Sequence, residues 1–135
     1  MRDKITILVV DDEPMMRDLL AKVLIRDGYR VLISEDGVAA FEVIEKEDVD
    51  IVLSDLEMPL MSGFDLLKKV KDEYPQIGMI MMTGYGDTYT VKDALLLGAD
   101  EYITKPFKNH EISLVVERVY WRLLSEKHET GAEVK

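Results

Sequence analysis

The segment ILVVDDEP, from Ile7 to Pro14, sets four apolar residues directly before three acids and a proline. Neighbouring carboxylates repel: at ~4 Å and an effective dielectric of ~20, a like-charged pair costs about 4 kcal/mol. Either these acids diverge or a cation offsets their repulsion. Three more apolar runs end on a side chain that can do chemistry. Residues 51–53 lead to Ser54 and Asp55, 79–82 to Thr83 and Gly84, and 101–104 to Lys105 and Pro106. Collected on one surface, Asp11, Asp12, Glu13, Asp55, Thr83 and Lys105 would supply carboxylates, a hydroxyl and an ammonium. Oxygen-only ligands favour Mg²⁺ or Ca²⁺ over zinc, and a site of few carboxylates that keeps its waters and awaits a phosphate suits Mg²⁺. A phosphoryl group on a carboxylate carries about two negative charges, which Mg²⁺, a lysine and a hydroxyl can hold. Singly, each feature is ordinary. Acids are common at helix N-termini, an aspartate can cap a loop, and Thr-Gly or Lys-Pro says little. The weight lies in their joint placement.

That placement requires a fold in which strand ends share a rim. Five short apolar runs, Thr6–Val10, Arg30–Ser34, 51–54, 79–82 and Glu101–Thr104, alternate with amphipathic stretches. Those at 7–10, 51–53 and 79–82 are apolar almost throughout, as strands buried on both faces should be. Helices are predicted over 14–27, with proline in the first turn and Gly28 beyond, and over 37–46, with Val38, Phe41, Val43 and Ile44 mostly on one side. Others are expected over 64–74, over 88–97, and from an N-cap at Asn109 to at least Leu124. Five strands alternating with five helices imply an α/β fold: a flavodoxin-like, doubly wound parallel sheet in the order 2-1-3-4-5. The working crevice then lies beyond the carboxyl ends of strands 1 and 3, where the order reverses.

Bulk composition narrows the function classes. The 135 residues suit one domain; 47% are hydrophobic and 33% charged. The formal net charge of −10 is opposite to that of a nucleic-acid binder, so direct DNA or RNA binding is disfavoured. With no cysteine there is no disulfide or thiolate metal site, which fits a cytoplasmic location. The apolar run near the N-terminus is too short for a signal peptide or membrane span, so no membrane role is expected.

The segments ILVVDDEP (7–14), IVLSDLEMPLMSGFDLL (51–67), IMMTGYGD (80–87) and GADEYITKPF (98–107) together resemble a response-regulator receiver domain of two-component signalling. The resemblance covers about residues 4–124. The wording VLSDLEMP with MTGYGD is most similar to receivers of nitrogen-regulation-type activators. It implies a phosphorylation-dependent switch that takes a phosphoryl group from a sensor histidine kinase, or from a small donor such as acetyl phosphate, onto Asp55. Asp12, Asp55 and the Glu57 backbone carbonyl would hold Mg²⁺ directly, with Asp11 acting mainly through water. Thr83 and Lys105 would contact the phosphoryl group, the Lys105–Pro106 peptide would be cis, and Tyr102 would be the aromatic switch partner of Thr83. Met58–Pro59 and Gly63 match the family's turn. Glu57 and Tyr85 lie where members tune water access. The chain would not be an enzyme beyond assisting its own phosphorylation and dephosphorylation.

Helical-wheel positions suggest an output surface. In the last helix Ile112, Val115, Val116, Val119, Tyr120 and Leu123 share a core face, while Leu114 and Trp121 fall opposite. Tyr89 and Leu96 likewise point away from the core. These four residues are candidates for a homodimer or effector-docking face, although scattered exposed apolar residues are also normal. The domain is expected over 1–124, with 125–135 a polar tail or an extension of the final helix. A haloacid-dehalogenase-type phosphatase would also use Asp, Mg²⁺, Thr and Lys, but places its acids as Asp-x-Asp after the first strand. A flavin-binding flavodoxin needs a phosphate-cradling loop where this chain is acidic.

Overall fold

The computed structural model describes residues 5–58, 60–84 and 91–134. Pro59, Tyr85 and Tyr89 lie outside the described residues. The elements follow as β1 (Thr6–Val10), α1 (Pro14–Arg26), β2 (Arg30–Ser34), α2 (Gly37–Lys46), β3 (Ile51–Asp55), α3 (Gly63–Glu73), β4 (Gly78–Thr83), α4 (Val91–Leu96), β5 (Glu101–Thr104) and α5 (Asn109–Val134). The strands form one parallel sheet in the order β2-β1-β3-β4-β5, as expected.

Side-chain alternation divides the core into two layers. Ile7, Val9, Ile51, Leu53, Ile80 and Met82 face α1 and α5, meeting Leu20, Leu24, Ile112, Val116 and Val119. Leu8, Val10, Val52, Met79 and Met81 face the other way, onto Phe41, Ile44, Leu66, Leu67, Val70 and Ala94. Both faces of the central strands are therefore sealed, which explains their near-continuous apolar sequence. The predicted core face of α5 is buried at Ile112, Val115, Val116, Val119 and Tyr120. In α2 the stripe differs from the expected one. Gly37, Ala40, Phe41 and Ile44 are buried, whereas Val38 is exposed and Val43 lies at the margin. At 100° per residue, positions 38 and 43 fall on either flank of the 37/40/41/44 stripe.

The ends of the elements follow local chemistry. Asp36 caps α2 by accepting the Ala39 N–H (2.8 Å), and Ser62 caps α3 by accepting the Asp65 N–H (3.1 Å). At the start of α5 the cap falls one residue earlier than Asn109. The Lys108 N–H donates to Glu111 Oε1 (2.8 Å), and the Lys108 carbonyl accepts from the Glu111 N–H (3.0 Å). Asp55 and Thr83 are the last residues of their strands rather than the first residues after them. Among the described residues no helix is long and apolar enough to cross a membrane.

Candidate functional site

Register brings the acids together. In the β1–β3 ladder Val10 pairs with Ser54, so the next residues, Asp11 and Asp55, emerge level from adjacent strands. Parallel neighbours lie about 4.8 Å apart. On the other side of β3, Asp55 pairs with Met82, and Thr83 pairs with Thr104. The Lys105 N–H donates to the Thr83 carbonyl (2.7 Å), which holds the β5 end against β4. The Lys105–Pro106 peptide is cis. From there the Lys105 side chain reaches across the rim, with its Nζ 3.1 Å from Asp55 Oδ2 and 3.7 Å from Asp11 Oδ2.

Asp11, Asp12 and Asp55 each offer a carboxylate oxygen within 4.8 Å of the others. Asp11 is fully buried, Asp55 and Thr83 nearly so, and Asp12 is exposed. Asp11 Oδ1 accepts the Glu13 N–H (2.9 Å), while its buried Oδ2 has no hydrogen-bond partner among the described residues. A buried carboxylate oxygen without a donor is costly, and here it lies beside two more carboxylates. An oxygen-only cluster with an orphaned acceptor is a donor set that fits a hard divalent cation.

The electrostatics agree. Burial pushes the Asp11 carboxyl above its ordinary range. The Glu13 N–H and Lys105 oppose the shift, and the charges of Asp12 and Glu13 add to it. Asp55 is raised as well, first by burial and further by Asp11, against the pull of Lys105 and the Glu57 N–H, which lies 3.4 Å from Asp55 Oδ1. For Lys105 burial alone would lower the ammonium. The charge of Asp55, its hydrogen bond and the charges of Asp11 and Glu13 outweigh that and raise it. The site thus holds a charged lysine between acids that are reluctant to ionise without a second cation.

The predicted positions occupy this rim in different ways. Asp11, Asp12, Asp55 and Lys105 converge, and Thr83 is buried on the neighbouring strand end. Glu57 stands beside them through its backbone, with its side chain exposed. Tyr102 is 40% exposed on edge strand β5. Gly63 closes the loop after β3: its N–H donates to the Leu56 carbonyl (2.8 Å), and a Cβ there would overlap the Asp55 carbonyl oxygen. Of the proposed output face, Leu96 is 74% exposed, Leu114 55% and Trp121 52%. One contributor escaped the sequence reading. Arg17 Nη1 donates to the Asp11 carbonyl (2.8 Å), fastening the acidic loop to α1. The pair spans a loop-to-helix junction, so no helical i, i+4 spacing marks it.

Over residues 7–117 the sequence matches the family described as response regulator receiver domain. It is 36% identical over 112 residues to sporulation initiation phosphotransferase F of Bacillus subtilis, covering 83% of this chain and 90% of that protein. It is 33% identical over 125 residues to DNA-binding transcriptional regulator NtrC of Proteus hauseri, covering 93% of this chain and 26% of that protein. Among solved structures, NtrX from Brucella abortus superposes with a TM-score of 0.88 at 30% identity, covering 94% of this chain and 29% of that one. The chain spans about half the length of three other regulators it matches, 56%, 55% and 50%. With the acid rim, the lysine and the 2-1-3-4-5 sheet in place, the chain belongs to the response-regulator receiver-domain family, the phosphorylation-dependent signalling switches of two-component systems.

Proposed function

We propose that Asp55 is the phosphoacceptor and that a sensor histidine kinase is the physiological donor, with small acyl phosphates able to replace it. The observation that carries this reading is the convergence of Asp11, Asp12 and Asp55 within 4.8 Å, with Lys105 Nζ 3.1 Å from Asp55 Oδ2. An Asp55 carboxylate oxygen attacks phosphorus, the bond to the donor's imidazole nitrogen breaks, and an acyl phosphate forms. Lys105 is placed to transfer its ion pair from Asp55 to the incoming phosphoryl oxygens. Thr83, at the end of the adjacent strand, offers a hydroxyl to another of them. Asp12, Asp55 and the Glu57 carbonyl would hold Mg²⁺, with Asp11 acting through water; when bound, the ion supplies neutralisation of charge on the transferring group. These groups assist the domain's own phosphorylation and dephosphorylation, with no separate substrate turned over.

The output step is a shift between two pre-existing states. Thr83 moves toward the phosphoryl group, and Tyr102, now partly exposed, takes the vacated space. The exposed side chains of Leu96, Leu114 and Trp121 form the surface for a second copy or a downstream effector. Tyr89, outside the described residues, is assigned to the same face. The domain is taken as 1–124, with 125–135 as a tail or helix extension, acting in the cytoplasm without contacting nucleic acid or membrane itself.

Acid-labile labelling tests the assignment. Incubation with acetyl phosphate and Mg²⁺, followed by phosphate-affinity electrophoresis, should retard the native chain and leave the Asp55→Asn variant unshifted. Full labelling of that variant would show that another side chain is the nucleophile.

A further inference from the structure

Gly37 begins α2 outside the acid site, and its backbone does not require glycine. Only Gly28 and Gly98 among the described glycines have positive φ. An alanine at a compatible helix position is ordinarily the more stable choice. What bars a side chain is contact. A Cβ at position 37 would lie 2.5 Å from the Met61 carbonyl oxygen and 2.8 Å from Met61 Cβ. Met61 belongs to the loop that leaves Asp55 and returns at Gly63. The same loop carries Glu57, whose N–H lies 3.4 Å from Asp55 Oδ1. It also holds Leu60 at φ 69, a left-handed conformation that costs a leucine energy and has to be imposed by its surroundings.

We propose that Gly37 is a positioning residue: by lacking a side chain it lets the first turn of α2 seat the Met61 backbone, which holds the Glu57 segment against Asp55. The inference rests on the reading of the acid rim as a Mg²⁺ and phosphoryl site. Two anchors decide which side yields when a methyl group is inserted. Helix α2 is held by the buried Ala40, Phe41 and Ile44 and by the Asp36 cap. In the loop, Leu60 is 82% exposed and Met61 is only partly buried. The loop therefore moves, carrying the Glu57 backbone away from Asp55.

The test is thermal melting of the native chain, Gly37→Ala and Val38→Ala, in EDTA and across a Mg²⁺ titration. In EDTA, Gly37→Ala should melt at or somewhat below the native temperature, because a Cβ 2.5 Å from a backbone oxygen forces a shift. Its Mg²⁺ titration midpoint should rise about tenfold, the lower end of what displaced supporting groups cost a metal site. Val38→Ala, on the same turn but exposed, should titrate as the native chain does. If the native chain gains no stability from Mg²⁺, the reading of the acid rim fails. If the native chain responds and Gly37→Ala responds at the same midpoint, the positioning role is overturned.

Discussion

Replacing Asp11 with asparagine should stabilise the protein in the absence of divalent cations, although it removes a fully buried charged group. Asp11 Oδ1 accepts the Glu13 N–H at 2.9 Å, and an asparagine carbonyl oxygen can keep that bond. The change is felt at Oδ2, which is buried, has no hydrogen-bond partner among the described residues, and lies 3.7 Å from Lys105 Nζ. Repulsion from an Asp55 oxygen at up to 4.8 Å amounts to about 3–4 kcal/mol at an effective dielectric of ~20. Attraction to Lys105 is worth about 4–5 kcal/mol on the same scale, so the two nearly cancel. What remains is a desolvated acceptor without a donor, a penalty of about 1–3 kcal/mol. Asparagine turns that atom into a donor beside Asp55. The Asp11→Asn variant should thus gain about 1–3 kcal/mol, or roughly 3–10 °C in melting temperature for a domain of this size. Differential scanning calorimetry in EDTA measures it directly. Saturating Mg²⁺ should narrow or reverse the difference, because a ligand at 100 times its Kd adds about 2.7 kcal/mol to the chain that binds it well. A variant that melts at or below the native chain in EDTA would refute the reasoning and show the orphaned oxygen to be harmless.

Proton linkage supplies a related test. Asp11 and Asp55 both have folded-state values raised above the ordinary 3.8, so the folded chain keeps protons that the unfolded chain has lost. Stability from these two groups is therefore greatest below that value and falls as pH rises through the interval up to the raised values. In EDTA, melting temperatures across pH should show this fall, and an Asp11→Asn/Asp55→Asn double variant should show less of it; an equal or larger fall in the double variant would contradict the burial argument. The output face is checked by sedimentation of acyl-phosphate-treated protein. Combined Leu96→Ala and Trp121→Ala should weaken self-association after activation while leaving phosphorylation intact, and unchanged association would remove these residues from the interface.

Much of the architecture was legible because it rests on local chemistry. Buried central strands had to be apolar throughout, so Ile7 to Val10, 51–53 and 79–82 stood out. Gly28 marked the end of the first helix, and a simple periodicity located the buried face of α5. The stripe on α2 was read less well. Val38 and Val43 are as apolar as Ile44, and hydrophobicity alone cannot tell a flank from a face when the helix is only ten residues long. Arg17 and Gly37 went unread for a different reason. Each acts on a backbone carbonyl, of Asp11 and of Met61, and a carbonyl belongs to every residue type alike.

The sequence by itself determined the inventory at the strand ends, Asp11, Asp12, Asp55, Thr83 and Lys105, and the alternating pattern that orders them on one rim. Those are properties of residue type and spacing, and they survive without coordinates. Only the tertiary structure decided that Asp11 Oδ2 is the oxygen left without a donor, that Lys105 sits closer to Asp55 than to Asp11, and that α2 abuts the loop beyond Asp55. Solvation and Coulomb energies depend on which distant segments meet and how deeply they are buried. Strand register and helix packing, rather than the order of residues along the chain, determine those distances.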